Sequence, residues 1–170
     1  MSDPAWSPFI AAVSATDAVQ PSFAQLAAIV RDRIGTVLFT ASAFDVPAGR
    51  MVRIFSENHA VYPVGGLKSI PPGIWSETVI ERQELLIRLT IEDISEVFFD
   101  WRVIQSLGCG SIANIPVVVS GKTIGALNLL HETGYYSPER LVAIREILPF
   151  ATIALLLAER DPALWSAPHA

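Results

Sequence analysis

Side chains that could do chemistry are concentrated in the second half of the chain, most visibly in SLGCGSIANIPV, residues 106–117. This stretch contains the only cysteine, Cys109, which lies between two glycines. A nucleophilic thiol needs a nearby cation or a helix N-terminus to lower its pKa. Cys109 instead follows the end of a predicted helix, where the helix dipole disfavours a thiolate. The sequence therefore favours a small buried residue in a tight turn over a reactive cysteine.

Two asparagines, Asn114 and Asn128, stand inside runs that otherwise predict apolar strands, SIANIPVVV and TIGALNLLH. A buried amide needs a hydrogen-bond partner, which is either a ligand or a neighbouring backbone group. The joining residues SGK indicate a hairpin. A three-residue loop would set the two asparagines opposite each other. A two-residue turn would put them on opposite faces, because a slip of one residue turns every side chain over.

Three charged or ionisable residues are further candidates, and each has a structural alternative. Arg53, on a predicted strand, could clamp a carboxylate, or it could simply point outwards. Asp100, in FFDWR, could anchor a cationic or amide group, or it could face solvent on a helix. His131 could exchange a proton or bind a carbonyl, or it could be an exposed strand end. No second histidine lies at metal-ligand spacing, so the sequence predicts no metal site.

Aromatic residues complete the candidate site. Tyr62, in YPVGG, could turn its hydroxyl into a pocket, and Trp75 could cover a flat ligand, although either could equally belong to the core. Phe99 and its aromatic neighbours cannot all face one way on a helix, so some of them must pack in the core. The predicted ligand-binding residues are Arg53, Tyr62, Trp75, Phe99, Asp100, Cys109, Ser111, Asn114, Asn128 and His131. No cofactor is predicted.

The composition of the 170-residue chain excludes several classes of protein. Apolar residues make up 51% and charged residues 17%, which excludes disorder and favours a buried subunit interface. The net charge is −5 and there is no basic stripe, so no nucleic-acid partner is expected. One cysteine cannot form an internal disulfide. The start resembles no signal peptide, and the apolar run at 147–158 is too short to span a bilayer. We therefore predict a cytoplasmic protein without a membrane partner.

The elements that must position these residues follow from periodicity and turn signals. PSFAQLAAIVRDRIG predicts a helix, and TVLFTASAF and RMVRIFS predict strands. ENHAVYPVGGLKSIPPG contains three prolines and three glycines, which argue against any regular element. IWSETVIERQ predicts a short helix and LLIRLT a short strand. This order predicts an antiparallel sheet with the first and last helices on one face, and with the long loop and the middle helices on the other.

Two further helices have sequence signals for their ends. SEVFFDWRVIQSLG predicts one helix with Ser95 as its N-cap and Gly108 after its end. YYSPERLVAIREILPFATIALLLAER predicts a final helix that begins at Ser137 and Pro138. Pro149 should kink or break that helix. Its second half is apolar nearly all round, so it must be covered on more than one side.

Three pieces of sequence occur in combination. They are YPVGG before a helix containing Trp75, then FFDWRVIQSLGCGSIANIPV, and then GKTIGALNLLH. Together they resemble a free-standing GAF domain over about residues 20–158. The resemblance implies an α+β fold with a six-stranded antiparallel sheet. It also implies a small-molecule pocket under the middle loops and helices, and a homodimer through the terminal helices. The ligand varies widely in this family, so fold alone cannot name it.

The chain departs from the family members whose ligands are known by motif. The Asn-Lys, Phe and Asp-Glu set of cyclic-nucleotide-binding members has no counterpart here. Cys109 is followed by glycine, whereas bilin-binding members resemble one another in a cysteine beside a histidine. The methionine sulfoxide reductases of this fold need a second thiol, which the chain lacks.

We therefore predict an N-terminal arm or short helix at 1–19, one GAF-like domain at 20–160 and a tail at 161–170. The predicted function is a small-molecule sensor or regulatory module that captures its ligand under the 56–75 loop and acts as a homodimer. Its signal would pass across the dimer or to a separate output protein. One alternative is an acid–base enzyme acting on a small polar metabolite, with Asp100, His131, Tyr62 and Arg53 as its acid–base and anchoring residues, although no triad or metal motif supports it. The other is a dimeric interaction module with a vestigial pocket.

Overall fold

The computed structural model describes residues 3–166. The strands are β1 Leu38–Asp45, β2 Arg50–Ser56, β3 Gly65–Ser69, β4 Leu86–Arg88, β5 Ser111–Val119 and β6 Lys122–His131. The helices are α1 Trp6–Val13, α2 Val19–Arg33, α3 Ile74–Ser76, α4 Ile91–Ser95, α5 Trp101–Ser106, α6 Pro138–Leu141 and α7 Ile144–Glu159. A π-helical segment, Glu77–Glu81, continues α3. Among residues 3–166, no helix is both long enough and apolar enough to cross a membrane.

The six strands form one antiparallel sheet in the order β3-β2-β1-β6-β5-β4. Its first face carries alternate residues such as Phe39 of β1 and Leu129 of β6, which are buried against the terminal helices α1, α2 and α7. Phe23 of α2 and Phe150 of α7 belong to the same core. Burial of this apolar surface is the main favourable term in folding. The predicted α+β architecture is confirmed.

The second face of the sheet is covered by the middle helices. Ile94 of α4 and Ile104 of α5 pack with Leu130 of β6. Trp75 of α3 packs edge-on against Phe44 of β1, with ring centroids 5.6 Å apart. The segment of residues 57–64, called here the β2–β3 loop, packs against this layer through Tyr62.

The β5–β6 hairpin differs from both alternatives that the sequence left open, the three-residue loop and the plain two-residue turn. Its turn has two residues, Ser120 and Gly121, both at positive φ (51° and 73°). A bulge then shifts the register between Val117 and Val118, so that Ile124 of β6 stays unpaired. Asn114 consequently stands opposite Asn128 on the second face. The bulge restores the pairing that a two-residue turn alone would have lost.

Strand β3 corrects the prediction that residues 57–73 contain no regular element. Gly65 pairs with Arg53 and Ser69 with Arg50, so β3 extends the sheet at an edge. The prolines of the stretch flank the strand instead of interrupting it, which is where an edge strand tolerates them. The segment is a strand because β2 offers it unpaired backbone groups, and no apolar alternation in its own sequence indicates this.

The helix predicted from Ser95 is two helices. Thr90, not Ser95, is the N-cap of α4, and its Oγ1 accepts a hydrogen bond from the Asp93 amide at 3.2 Å. Ser95 is the last residue of α4, and α5 begins only at Trp101. Ser95 and Thr90 are both ordinary capping residues, so composition alone could not choose between them.

The predicted final helix is also divided. Its start at Pro138 is where the sequence places it, but α6 ends at Leu141 and α7 begins at Ile144. Pro149 lies inside α7, which continues through it to Glu159. The break is therefore at 142–143, and the prediction of a break at Pro149 is wrong.

The two ends of the described chain pack on the domain. Trp6 of α1 lies on Phe150 of α7, with ring centroids 4.2 Å apart. Trp165 lies over the Arg50 guanidinium at 5.2 Å. Residues 1–2 of the predicted arm and 167–170 of the predicted tail lie outside the described residues, and the boundaries 1–19, 20–160 and 161–170 remain a prediction.

Candidate functional site

A row of polar side chains crosses the second face of the sheet. It consists of Ser56, Thr40, Asn128 and Asn114, from four neighbouring strands, and is called here the polar row. Cross-strand pairing sets each of these residues directly opposite the next. Ser56, Thr40 and Asn114 are at most 4% exposed. Polar groups this deeply buried must be hydrogen-bonded or must serve a purpose other than stability.

The asparagines of the polar row form a directed chain of hydrogen bonds. Asn114 Nδ2 donates to Asn128 Oδ1 at 2.6 Å, and Asn128 Nδ2 donates to Thr40 Oγ1 at 3.1 Å. The chain leaves Asn114 Oδ1 buried and without a hydrogen-bond partner among residues 3–166. Such an atom loses its hydration and gains nothing in exchange. It is an acceptor that lacks a donor.

Arg53 lies on the same face, one step along the sheet from the polar row. It pairs with Ser42, which is two residues from Thr40 on β1. Its guanidinium lies 4.9 Å from the Tyr62 ring and donates through Nη1 to the Pro63 carbonyl at 3.3 Å. Its Nε is buried and has no partner in the described part of the chain. Burial lowers the pKa of Arg53, and the charge of the nearby Asp100 opposes that shift.

Tyr62 and Asp100 join the β2–β3 loop to the start of α5. The Tyr62 hydroxyl donates to Asp100 Oδ2 at 3.0 Å. Burial and the negative charge of Asp100 raise the pKa of Tyr62 well above its ordinary value. The hydroxyl therefore stays protonated and acts as a donor. Arg53, Tyr62 and Asp100 are called here the arginine cluster.

Two predicted site residues, Ser111 and His131, lie on the first face, away from the polar row. They pair with each other at the ends of β5 and β6, in step with Leu129. Ser111 Oγ donates to the Glu132 carbonyl at 2.7 Å. His131 stacks on Tyr135 at 3.3 Å, and its Nδ1 accepts the Glu132 amide at 2.8 Å. Strand alternation separates both residues from the asparagines.

Three other predicted residues have different surroundings. Cys109 is 3% exposed among apolar side chains, and burial raises the pKa of its thiol. Trp75 is part of the core that covers the second face. Phe99 is 97% exposed and lies outside both the polar row and the arginine cluster. Of the predicted residues, the structure brings Arg53, Tyr62, Asp100, Asn114 and Asn128 to one face.

No protein-family model and no curated protein matches this sequence. Solved structures do match it. The GAF domain of a two-component sensor histidine kinase from Bacillus halodurans has a TM-score of 0.66 at 12% identity, covering 81% of this chain and 93% of that one. The GAF domain/HD domain protein from Geobacter sulfurreducens has a TM-score of 0.67 at 15% identity, covering 88% and 99%. The chain has the GAF fold.

The GAF fold is shared with proteins of different kinds. The chromophore-binding domain of a bacteriophytochrome from R. palustris has a TM-score of 0.62 at 14% identity, and the match covers 92% of this chain and 62% of that one. Identities this low show the fold alone. The ligand of this GAF-fold chain has to be argued from its own site.

Residues that the sequence analysis missed complete the second face of this GAF fold. Thr40, Ser42 and Ser56 are buried there, and Thr40 holds the end of the asparagine chain. A signal was present, because small hydroxyl residues occupy alternate positions of the predicted strand TVLFTASAF. Alternation puts them on one face, away from Phe39.

Two surface hollows of this GAF fold lie beside α7 and not on the second face. One, of about 360 Å³, lies between α7 and β5. It is lined by Gln83, Leu85, Ile115, Pro116, Val118, Ile144, Leu148 and Thr152. The other, of about 410 Å³, is lined by Pro138, Leu141, Val142, Ile144 and Arg145. Within residues 3–166, no group of three or more His, Cys, Asp and Glu side chains is arranged to hold a metal ion.

Proposed function

We propose that this GAF-fold chain binds a small polar molecule on the second face of its sheet and acts as a ligand-responsive regulatory module. One observation carries the proposal. Two deeply placed polar atoms on that face, Asn114 Oδ1 and Arg53 Nε, have no hydrogen-bond partner among the described residues. Native proteins rarely leave such atoms unpaired. A ligand with a donor for one and an acceptor for the other would satisfy both.

The ionisable groups near the site favour binding over acid–base turnover. A general acid or base works best with a pKa near the working pH. Tyr62 and Cys109 have pKa values shifted upwards, away from neutrality. His131, which the enzyme alternative needs beside Asp100, lies on the opposite face. These pKa shifts and positions support a binding role over proton exchange.

A vestigial pocket would have a different second face. With no ligand to bind, a buried sheet face gains stability from apolar residues, since buried amides contribute little net stability. This face instead carries the polar row and an arginine whose Nε is unpaired. Retaining these groups is consistent with selection for binding at the expense of stability.

The proposed signal passes through β5 and β6, because the ligand would contact one face of these strands and α7 packs on the other. A ligand on the polar row contacts β5 and β6 from one side, and α7 packs on their other side. The Tyr62–Asp100 hydrogen bond ties down the β2–β3 loop through which a ligand would enter. Ligand capture would therefore shift α7 relative to the sheet.

We further propose a homodimer through the terminal helices, with a separate output protein as the receiver. Val142, which precedes α7, is 71% exposed, and Leu156 on α7 is 39% exposed. Solved structures with this fold include domains of a sensor histidine kinase and of a methyl-accepting chemotaxis protein, which fits a role in signalling.

Native mass spectrometry of the purified protein, followed by denaturation and identification of what is released, tests the proposal. We expect a stoichiometric small molecule in the wild type, and its loss in Arg53→Ala and Asn114→Leu variants that keep their far-ultraviolet circular dichroism. Arg102→Ala, at an exposed arginine, and Ser111→Ala, on the first face of β5, are the matched controls. Release that is unchanged in the Arg53 and Asn114 variants would contradict the proposed site.

A further inference from the structure

We propose that the ligand is an elongated monoanion with a carboxylate at one end, bound by Arg53, and an uncharged N–H donor at the other, bound by Asn114. This inference rests on the proposed function and specifies the ligand of the same site. It follows from the charge and hydrogen-bond deficit at each end of the second face.

The Arg53 end lacks an anion. The Arg53 guanidinium is partly buried, and within residues 3–166 it forms no ion pair with a carboxylate at 4 Å or less. Asp100, whose Oδ2 accepts the Tyr62 hydrogen bond, is not among those ion pairs and acts on Arg53 only at longer range. A buried charge is costly unless it is paired and hydrogen-bonded. The Nε–H is free to donate, and a carboxylate supplies both the charge and the acceptor.

At the Asn114 end, the site lacks a hydrogen-bond donor for Asn114 Oδ1, and the ligand group that binds there needs no charge. The hydrogen-bond chain runs from Asn114 towards Thr40, so the atom left over is the carbonyl oxygen. Leu86 of β4 stands opposite Asn114, and Arg88 is the next residue of β4 on the same face. The strand residues beside Asn114 on this face, Leu86, Arg88, Ile112 and Pro116, include a cation and no carboxylate, which disfavours an ammonium group. A neutral N–H, as in an amide or a ring nitrogen, suits an apolar site beside a positive charge.

The distance between the two ends requires an elongated molecule. Asn114 and Arg53 are separated by three strand intervals and one two-residue step. This corresponds to about 16 Å between Cα atoms. Both side chains stand on the same face of the sheet, and a hydrogen bond of about 3 Å at each end leaves on the order of 10 Å between the two polar ends of the ligand. A molecule the size of a dipeptide or a nucleoside spans that distance, whereas a free amino acid does not.

The test uses three matched probe sets and isothermal titration calorimetry. The first set is indole-3-butyrate, indole-3-hexanoate and indole-3-octanoate, which carry a ring N–H and a carboxylate at increasing separations that bracket the required distance. The second replaces the N–H by N-methyl, and the third replaces the carboxylate by a carboxamide. We expect the wild type to prefer carboxylate over carboxamide by about tenfold or more, and N–H over N-methyl by about three- to tenfold.

Each variant should erase one preference and leave the other. Arg53→Gln should bring the carboxylate-to-carboxamide ratio close to one, and Arg53→Lys should retain part of it because the cation remains. Asn114→Leu should bring the N–H to N-methyl ratio close to one. Arg102→Gln and Ser111→Ala should leave both ratios unchanged. Circular dichroism and the melting temperature verify that each variant is folded, and Arg53→Lys keeps the test informative if Arg53→Gln is not.

Several outcomes would overturn the inference. Equal affinity for carboxylate and carboxamide in the wild type would exclude the anionic end. A preference for a ring acceptor over N–H would mean that the amide chain runs the other way, and would exclude the donor end. If no probe binds while native mass spectrometry finds a released molecule of another class, the ligand class is wrong and the proposed function stands. If no probe binds and nothing is released, both fail.

Discussion

Asn128 is the most informative position for mutation because it holds the polar row together. It accepts from Asn114 and donates to Thr40. Asn128→Leu therefore removes two hydrogen bonds, each contributing about 1 kcal/mol net, and leaves the Asn114 amide stranded at 2% exposure, which costs about 1–3 kcal/mol more. We expect the free energy of unfolding to fall by about 3–5 kcal/mol.

The double variant Asn114→Leu/Asn128→Leu should be more stable than that single variant. It leaves no stranded amide, and replacing both partners of a buried hydrogen bond by apolar groups of similar size is nearly neutral. Only Thr40 loses a donor, so we expect a free energy of unfolding within about 1 kcal/mol of the wild type. The two substitutions should thus couple by at least about 2 kcal/mol.

Guanidinium unfolding with linear extrapolation measures these differences, and a thermal scan checks them. At about 2–4 °C per kcal/mol, Asn128→Leu should melt roughly 6–20 °C below the wild type, and the double variant within about 4 °C of it. The double variant should also release no small molecule in native mass spectrometry. A double variant less stable than Asn128→Leu would refute the reasoning, since it would mean that the asparagine pair itself stabilises the fold.

Three further predictions concern other parts of the molecule. A methyl group at Gly125 would meet the Ser42 carbonyl and, at 2.7 Å, Leu155 Cδ2, so Gly125→Ala should lower the free energy of unfolding by about 3 kcal/mol; an unchanged denaturation midpoint would contradict this. Burial lowers the pKa of His131 below 6.5, so the unfolded chain takes up the proton first, and stability that is complete above pH 6.5 should decline as the pH falls. His131→Gln should flatten that decline in unfolding titrations at pH 5.5 and 7.5, and an equally steep decline in the variant would rule His131 out as its source. Iodoacetamide should label Cys109 slowly at pH 7.5 and reach the rate of a free thiol only in denaturant, whereas rapid labelling of the native protein would be inconsistent with the buried thiol.

Elements with a strong local signal were predictable. The apolar spacing of Phe23, Leu26, Ile29 and Val30 predicts α2, and all four are buried in the structure. Strand β5 covers the same residues, SIANIPVVV, as its prediction, because a glycine-containing turn and β-branched residues delimit it. The resemblance to a GAF domain correctly implied the six-stranded sheet.

Elements defined by their neighbours were not predictable. Strand β3 exists because β2 presents an unpaired edge, and its own sequence of glycine and polar residues carries no alternation. Thr90 and Ser95 are equivalent as capping residues, and the packing of Ile94 against Leu130 selects the earlier start of α4. Local rules fail here because the deciding contacts come from distant parts of the chain.

The candidate site divides in the same way. The sequence by itself determined that Arg53, Asn114 and Asn128 would be polar residues within apolar strands, and hence that each would need a partner. Only the tertiary structure decided which of the candidates share a face. Because Ile124 in the β5–β6 hairpin is unpaired, Asn114 and Asn128 lie opposite each other on the second face. Strand alternation then places His131 on the first face. The reason is geometric, since one inserted residue reverses every side chain beyond it, and the sequence does not mark where sheet twist and packing insert that residue.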